Sequence, residues 1–124
     1  MSSTALTERL GSLYRLDDRA VERGRHVSTT FLIDAGAEQA LVDIEHGRVA
    51  AITDPTAAVM PTWRFALRAP AQEWDAFWEA LPRPGSHDLF ALLRRRQLRL
   101  EGDLHPFMSN LFYFKELLAQ PRTL

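Results

Sequence analysis

Cysteine is absent from the 124-residue chain. That excludes disulfides, thiolate metal sites and cysteine nucleophiles together. Lysine is almost absent: Lys115 stands alone among 15 basic residues, and the rest are arginine. These face 16 acidic residues for a formal charge of −1, so the basic excess of a non-specific nucleic-acid binder is missing. No apolar run approaches the ~18 residues of a membrane span. The first eight residues, Met1 to Glu8, lack the basic start and apolar stretch of a secretory signal. The expectation is a cytoplasmic protein with no nucleic-acid partner and no stable membrane insertion. Gly-x-Gly-x-x-Gly, Gly-x-x-x-x-Gly-Lys and Gly-x-Ser-x-Gly do not occur, which withdraws support for nucleotide binding and for a hydrolase elbow. His26, His46, His87 and His105 form no i, i+4 pair, so neither a metal nor a cofactor is expected.

What is present is ordinary globular material, 46% hydrophobic and 25% charged. There is no repeat or low-complexity linker, so residues 1–124 read as one domain. Leu6, Leu10, Leu13 and Val21 give an apolar stripe that predicts a helix over about 4–23, stopping at Gly24. Strand alternation follows over 26–34, 39–46, 48–53 and 62–68, with a tight turn at His46-Gly47 and a break at Asp54-Pro55. Pro70 opens a helix in which Trp74, Phe77, Trp78 and Leu81 share one face. Ser86 caps a further helix over 87–96, and 97–101 alternate again. A closing helix over about 105–119 is apolar nearly all round.

The aromatic residues are unevenly placed. Ten of the twelve lie between Trp63 and Phe114. Such a stripe is usually plain core, but three tryptophans and seven phenylalanines are a large, stiff volume for one small domain. Three apolar helix faces also compete for one sheet face, an arrangement that encloses a pocket when the rings do not mesh. The expected walls are Phe65, Trp74, Phe77, Trp78, Phe90, Leu93, Phe107, Leu111 and Phe114. Asp43 and Glu45 read as the solvated face of a strand, and Arg94-Arg95-Arg96 with Arg99 as a solvated helix end before a contact to phosphate, an acidic partner or the carboxylate of a bound amphiphile.

The strand Leu98-Arg99-Leu100-Glu101, its Gly102-Asp103 turn and the closing helix through Asn110 and Leu117-Leu118 resemble the sterol carrier protein type 2 domain. The preceding order agrees: an N-terminal helix, a strand meander with a hairpin near Gly47, the Asp54-Pro55 break, the strand Trp63–Arg68 and the helix opening at Ala69-Pro70. The resemblance covers about residues 25–120. Family members often carry a glycine and a basic residue before the last strand, where this chain has Arg96-Gln97, and the Pro-rich turn 82–88 is atypical. The resemblance implies an α/β (α+β) fold with a five-stranded, mostly antiparallel sheet and helices packed on one face. It also implies a tunnel between them for a fatty acyl chain, sterol or similar apolar or amphiphilic small molecule, without catalysis.

Two other readings stay open. A small pocket enzyme, resembling the nuclear transport factor 2-like group, would draw a His/Asp pair from His87, Asp88, Asp103 and His105. An interaction module, such as a homodimer, would bury Phe112 and Tyr113 of the closing helix between subunits.

Overall fold

The computed structural model describes residues 5–55, 62–79 and 96–121. Its centre is a five-stranded sheet in the order β3-β2-β1-β4-β5. The strands are β1 (Thr29–Asp34), β2 (Gln39–Glu45), β3 (Arg48–Thr53), β4 (Phe65–Arg68) and β5 (Arg99–Gly102). All neighbours are antiparallel except β1 and β4, which run parallel with Phe31 opposite Phe65 and Ile33 opposite Leu67. The expected mostly antiparallel sheet is therefore present.

Alternation decides which side chains enter the core. Phe31 and Ile33 of β1, Ala40, Val42 and Ile44 of β2, and Phe65 and Leu67 of β4 are buried on the helix side. The outer face is not uniformly wet. Leu32, Leu41 and Ala66 are buried in a small second cluster beneath Trp63. Around that cluster the face is polar, with the Thr30 hydroxyl donating to Asp43 at 3.1 Å.

The helix expected over 4–23 is three pieces: α1 (Ala5–Arg9), a 3-10 helix (Leu10–Arg15) and α2 (Asp18–Arg23). Gly11 and Ser12 are weak helix formers. Asp17 then starts the chain afresh, its carboxylate accepting the Ala20 N–H at 2.9 Å. The buried stripe Leu6, Leu10, Leu13 survives the breaks and continues through Leu16 and Ala20. The helix after Pro70 is α3 (Ala71–Phe77), and the closing helix is divided into α4 (His105–Ser109) and α5 (Leu111–Leu118). Asn110 makes the break, with its backbone at φ −130° and ψ 40° and its side-chain amide bonded to the Pro106 carbonyl at 2.9 Å. Residues 87–95 of the helix expected over 87–96 lie outside the described residues, and Arg96 is in a turn at φ 62°.

The β2–β3 hairpin turns at His46 and Gly47, both left-handed at φ 52° and 86°. That pair of signs is what a two-residue turn between twisted strands requires. The turn is pinned from three sides. The His46 N–H donates to the Ser28 hydroxyl, the Gly47 N–H donates to the Val27 carbonyl, and the Tyr113 hydroxyl donates to the Gly47 carbonyl at 2.6 Å.

Candidate functional site

The sequence-derived wall residues fall into two groups. Phe65, Phe107 and Phe114 are fully buried with Phe31 between the sheet and α4–α5. Phe31 and Phe65 stack at 5.2 Å, and Phe114 stands edge-on to both at 5.6 and 5.5 Å. Phe107 leans on Phe65 and Phe114 at 5.6 and 5.5 Å. These rings pack on one another, and Leu111 is half-buried beside them. Edge-on and offset pairs of this kind add about 0.5–1.5 kcal/mol beyond area burial.

The second group is on α3. Trp74 and Trp78 stack at 5.1 Å, and Phe77 meets Trp74 edge-on at 6.2 Å. Both indoles are anchored. Trp74 Nε1 donates to the Asp34 carbonyl at 2.9 Å, and Trp78 Nε1 donates to the Leu118 carbonyl at 2.7 Å. Between α1 and α3 these rings open onto a hollow of about 150 Å³, whose apolar walls are Leu6, Ala35, Ala71, Trp74 and Trp78. A cavity of about that volume holds a benzene-sized guest.

The rim of this hollow is charged. The Arg9 guanidinium lies 5.0 Å above the Trp78 ring and reaches Asp75 at 2.5 Å. Glu38, also at the rim, accepts the Leu6 N–H at 3.1 Å. The hollow thus combines an apolar interior with a charged mouth, the form of an amphiphile site. Leu6, Arg9, Glu38 and Asp75 were not expected there. Leu6 had a signal in the first stripe, whereas the charged residues meet across loops that no local periodicity reports.

Phe90, Leu93, His87 and Asp88 lie outside the described residues. Asp103 and His105 are both exposed. Asp103 accepts the His105 backbone N–H at 3.1 Å and faces Arg64 at 3.5 Å, while the His105 ring nitrogens approach the Ser109 hydroxyl. Asp103 therefore caps a turn on the surface. Among the described residues no three His, Asp or Glu side chains converge to hold a metal. Phe112 is 78% exposed, but Tyr113 is 1% exposed and its burial pushes its hydroxyl well above its ordinary pKa. Tyr113 therefore belongs to the core and is not free for the subunit interface expected to bury both, whereas Phe112 is exposed.

On the outer face, Asp34 accepts from the Gly36 N–H at 2.7 Å, from Gln39 at 3.0 Å and from Arg68 at 2.5 Å. Arg68 also donates to Glu101 at 2.8 Å. Partial burial opposes the Asp34 charge, but the bonds from Gly36, Gln39 and Arg68 outweigh it and hold its pKa below 3.8. A carboxyl depressed on folding contributes stability above its unfolded pKa and loses it as pH falls through the folded value. Asp34→Asn is accordingly expected to cost on the order of 2 kcal/mol at neutral pH. The gap to the parent narrows as pH falls through the depressed folded pKa of Asp34, which urea midpoints measured against pH will show. A gap independent of pH would remove the charge from this account.

Comparison with solved structures places this architecture. The crystal structure of sterol carrier protein 2 superposes with a TM-score of 0.69 at 14% identity, covering 98% of this chain and 97% of that one. The ubiquinone synthesis protein UbiJ-SCP2 gives 0.58 at 14% identity over 93% and 90% of the two chains. The apo form of sterol carrier protein 2 from Yarrowia lipolytica gives 0.57 at 9% identity over 98% and 93%. No protein-family model matches the sequence. No curated protein matches it either. The chain has the sterol carrier protein 2 fold over nearly its whole length, as the resemblance implied, and not the cone of the nuclear transport factor 2-like group.

Proposed function

We propose that this domain binds and carries a lipid-like apolar molecule, a fatty acyl chain, sterol or similar, between its sheet and helices, with no catalysis of its own. The observation that carries the reading is the fold, shared with proteins named as sterol carriers; the hollow beside Trp74 and Trp78, rimmed by Arg9 and Asp75, has room at about 150 Å³ for one end of such a guest. The fixed indoles present a wall whose ordering cost is met by folding, so a guest loses less entropy on entering. Its gain is hydrophobic transfer, about 25 cal/mol per Å² of apolar surface covered. The reading has the carrier working in the cytoplasm. Among the described residues no helix is long and apolar enough to cross a bilayer.

Tryptophan emission on titration with fatty acids of increasing length tests this. Trp74 and Trp78 respond if the guest enters, and Trp63, on the far side of the sheet, does not. Trp63→Phe is expected to preserve the response, and Trp78→Phe to reduce both the signal and the affinity. Silence at every chain length, with no lipid retained in native mass spectra of protein purified from cells, would refute the proposal.

A further inference from the structure

A second hollow, of about 420 Å³, opens at the end of the sheet where β1 and β4 finish and β5 begins. Arg68, Arg96 and Arg99 line it, against a single lining acid, Asp34. That acid is already bonded to Arg68, and the remaining carboxylate on Arg68 is Glu101. Among the described residues no acidic side chain comes within ion-pair distance of Arg96 or Arg99.

Arg68 and Arg99 sit directly opposite on the antiparallel strands β4 and β5, and because the Arg68 charge is met by Asp34 and Glu101, Arg99 and Arg96 are the cations that carry the hollow's positive charge. Arg96 adopts a positive φ of 62°, a region that residues other than Gly, Asn and Asp rarely enter. Backbone strain of this kind clusters at ligand-binding and active sites. Guanidinium groups match phosphate oxygens in geometry and charge.

We propose that this hollow is a phosphate-binding site in which Arg96 and Arg99 supply the guanidinium donors and the Asp34–Arg68 pair forms the fixed floor. The phosphate is either free or the headgroup of an amphiphile. The site is separate from the hollow beside Trp74 and Trp78, so failure of the fatty-acid titration leaves it standing.

The probes are inorganic phosphate and monododecyl phosphate below its micellar concentration, each against chloride at matched ionic strength, followed by amide NMR. Shifts confined to residues around 34–36, 68–70 and 96–99 are expected. The double substitution Arg96→Gln with Arg99→Gln is expected to weaken binding at least about tenfold, two lost charge-assisted bonds being worth that much or more. Arg96→Gly provides the control for folding. It relieves the left-handed strain, so its Tm holds or rises while phosphate affinity falls. Saturation by both probes assigns a free-phosphate site, and saturation by the dodecyl ester alone assigns a headgroup site. Scattered shifts, or binding that the double variant retains, would overturn the assignment.

Discussion

Phe65→Ala is expected to lower the unfolding free energy by about 3–5 kcal/mol. Phe65 is completely buried on β4, next to the central strand β1, and touches the rings of Phe31, Phe107 and Phe114. Truncation empties a space that those three rings cannot close, because each is held from another side. Phe31 belongs to a strand, and Phe107 and Phe114 belong to separate helices. Urea unfolding measures the loss, and Phe112→Ala on the exposed face of α5 is the comparison, expected within about 0.5 kcal/mol of the parent. The difference also bears on function. A ring that borders empty space gives up less on truncation, since part of its cavity exists already. A loss of about 1 kcal/mol at Phe65 would therefore move the guest's site from the Trp74–Trp78 wall into the centre of the sheet.

Gly47→Ala is expected to cost about 3 kcal/mol or more, from left-handed strain together with overpacking. A methyl group there would lie 2.6 Å from the Val21 carbonyl and 2.8 Å from the Gly24 carbonyl. Both obstacles are backbone, so no rotamer change relieves them. Shifting the hairpin instead would pull the Gly47 carbonyl from the Tyr113 hydroxyl. Gly36→Ala separates the two causes. Gly36 has the same φ of 86° but nothing within 4 Å of the added carbon. Its cost is the conformational part alone, about 1–2 kcal/mol. Equal losses at the two positions would show that close packing at Gly47 contributes nothing.

Local pattern made the sheet legible. Alternation marks Phe31, Ile33, Val42, Ile44, Trp63, Phe65 and Leu67 as apolar-face positions and His46-Gly47 as a turn; the structure agrees except at Trp63, which precedes β4 and packs on the opposite face with Leu32, Leu41 and Ala66. The same pattern could not report that β4 lies parallel to β1, because pairing between distant strands leaves no periodic trace. It also joined pieces that are separate. Leu6, Leu10 and Leu13 do share a buried face, but the cap at Asp17 was read as part of one helix.

The site was legible only on its apolar side. Trp74 and Trp78 announced themselves by spacing on one helix. Their neighbour Arg9 meets Asp75 across 66 positions of sequence, and nothing in either local stretch foretells that contact. The arginines near β5 were visible as a cluster. Their confinement with Arg68 at one end of the sheet follows from topology.

The Tyr113–Gly47 bond spans 66 residues, and the helix that makes it also brings Phe114 over β1 and β4. The three-strand meander closes through short loops and is the part able to form early, since nearby segments meet at least entropic cost. Its oily side then waits for α5. Leu6, Leu10 and Leu13, synthesised first, cover part of it, but during translation the part that Phe114 covers is bare for as long as the ribosome takes to deliver α5, several seconds at ~5–20 residues per second. A nascent chain halted before α5 should therefore be a strong client for chaperones that hold exposed apolar strands.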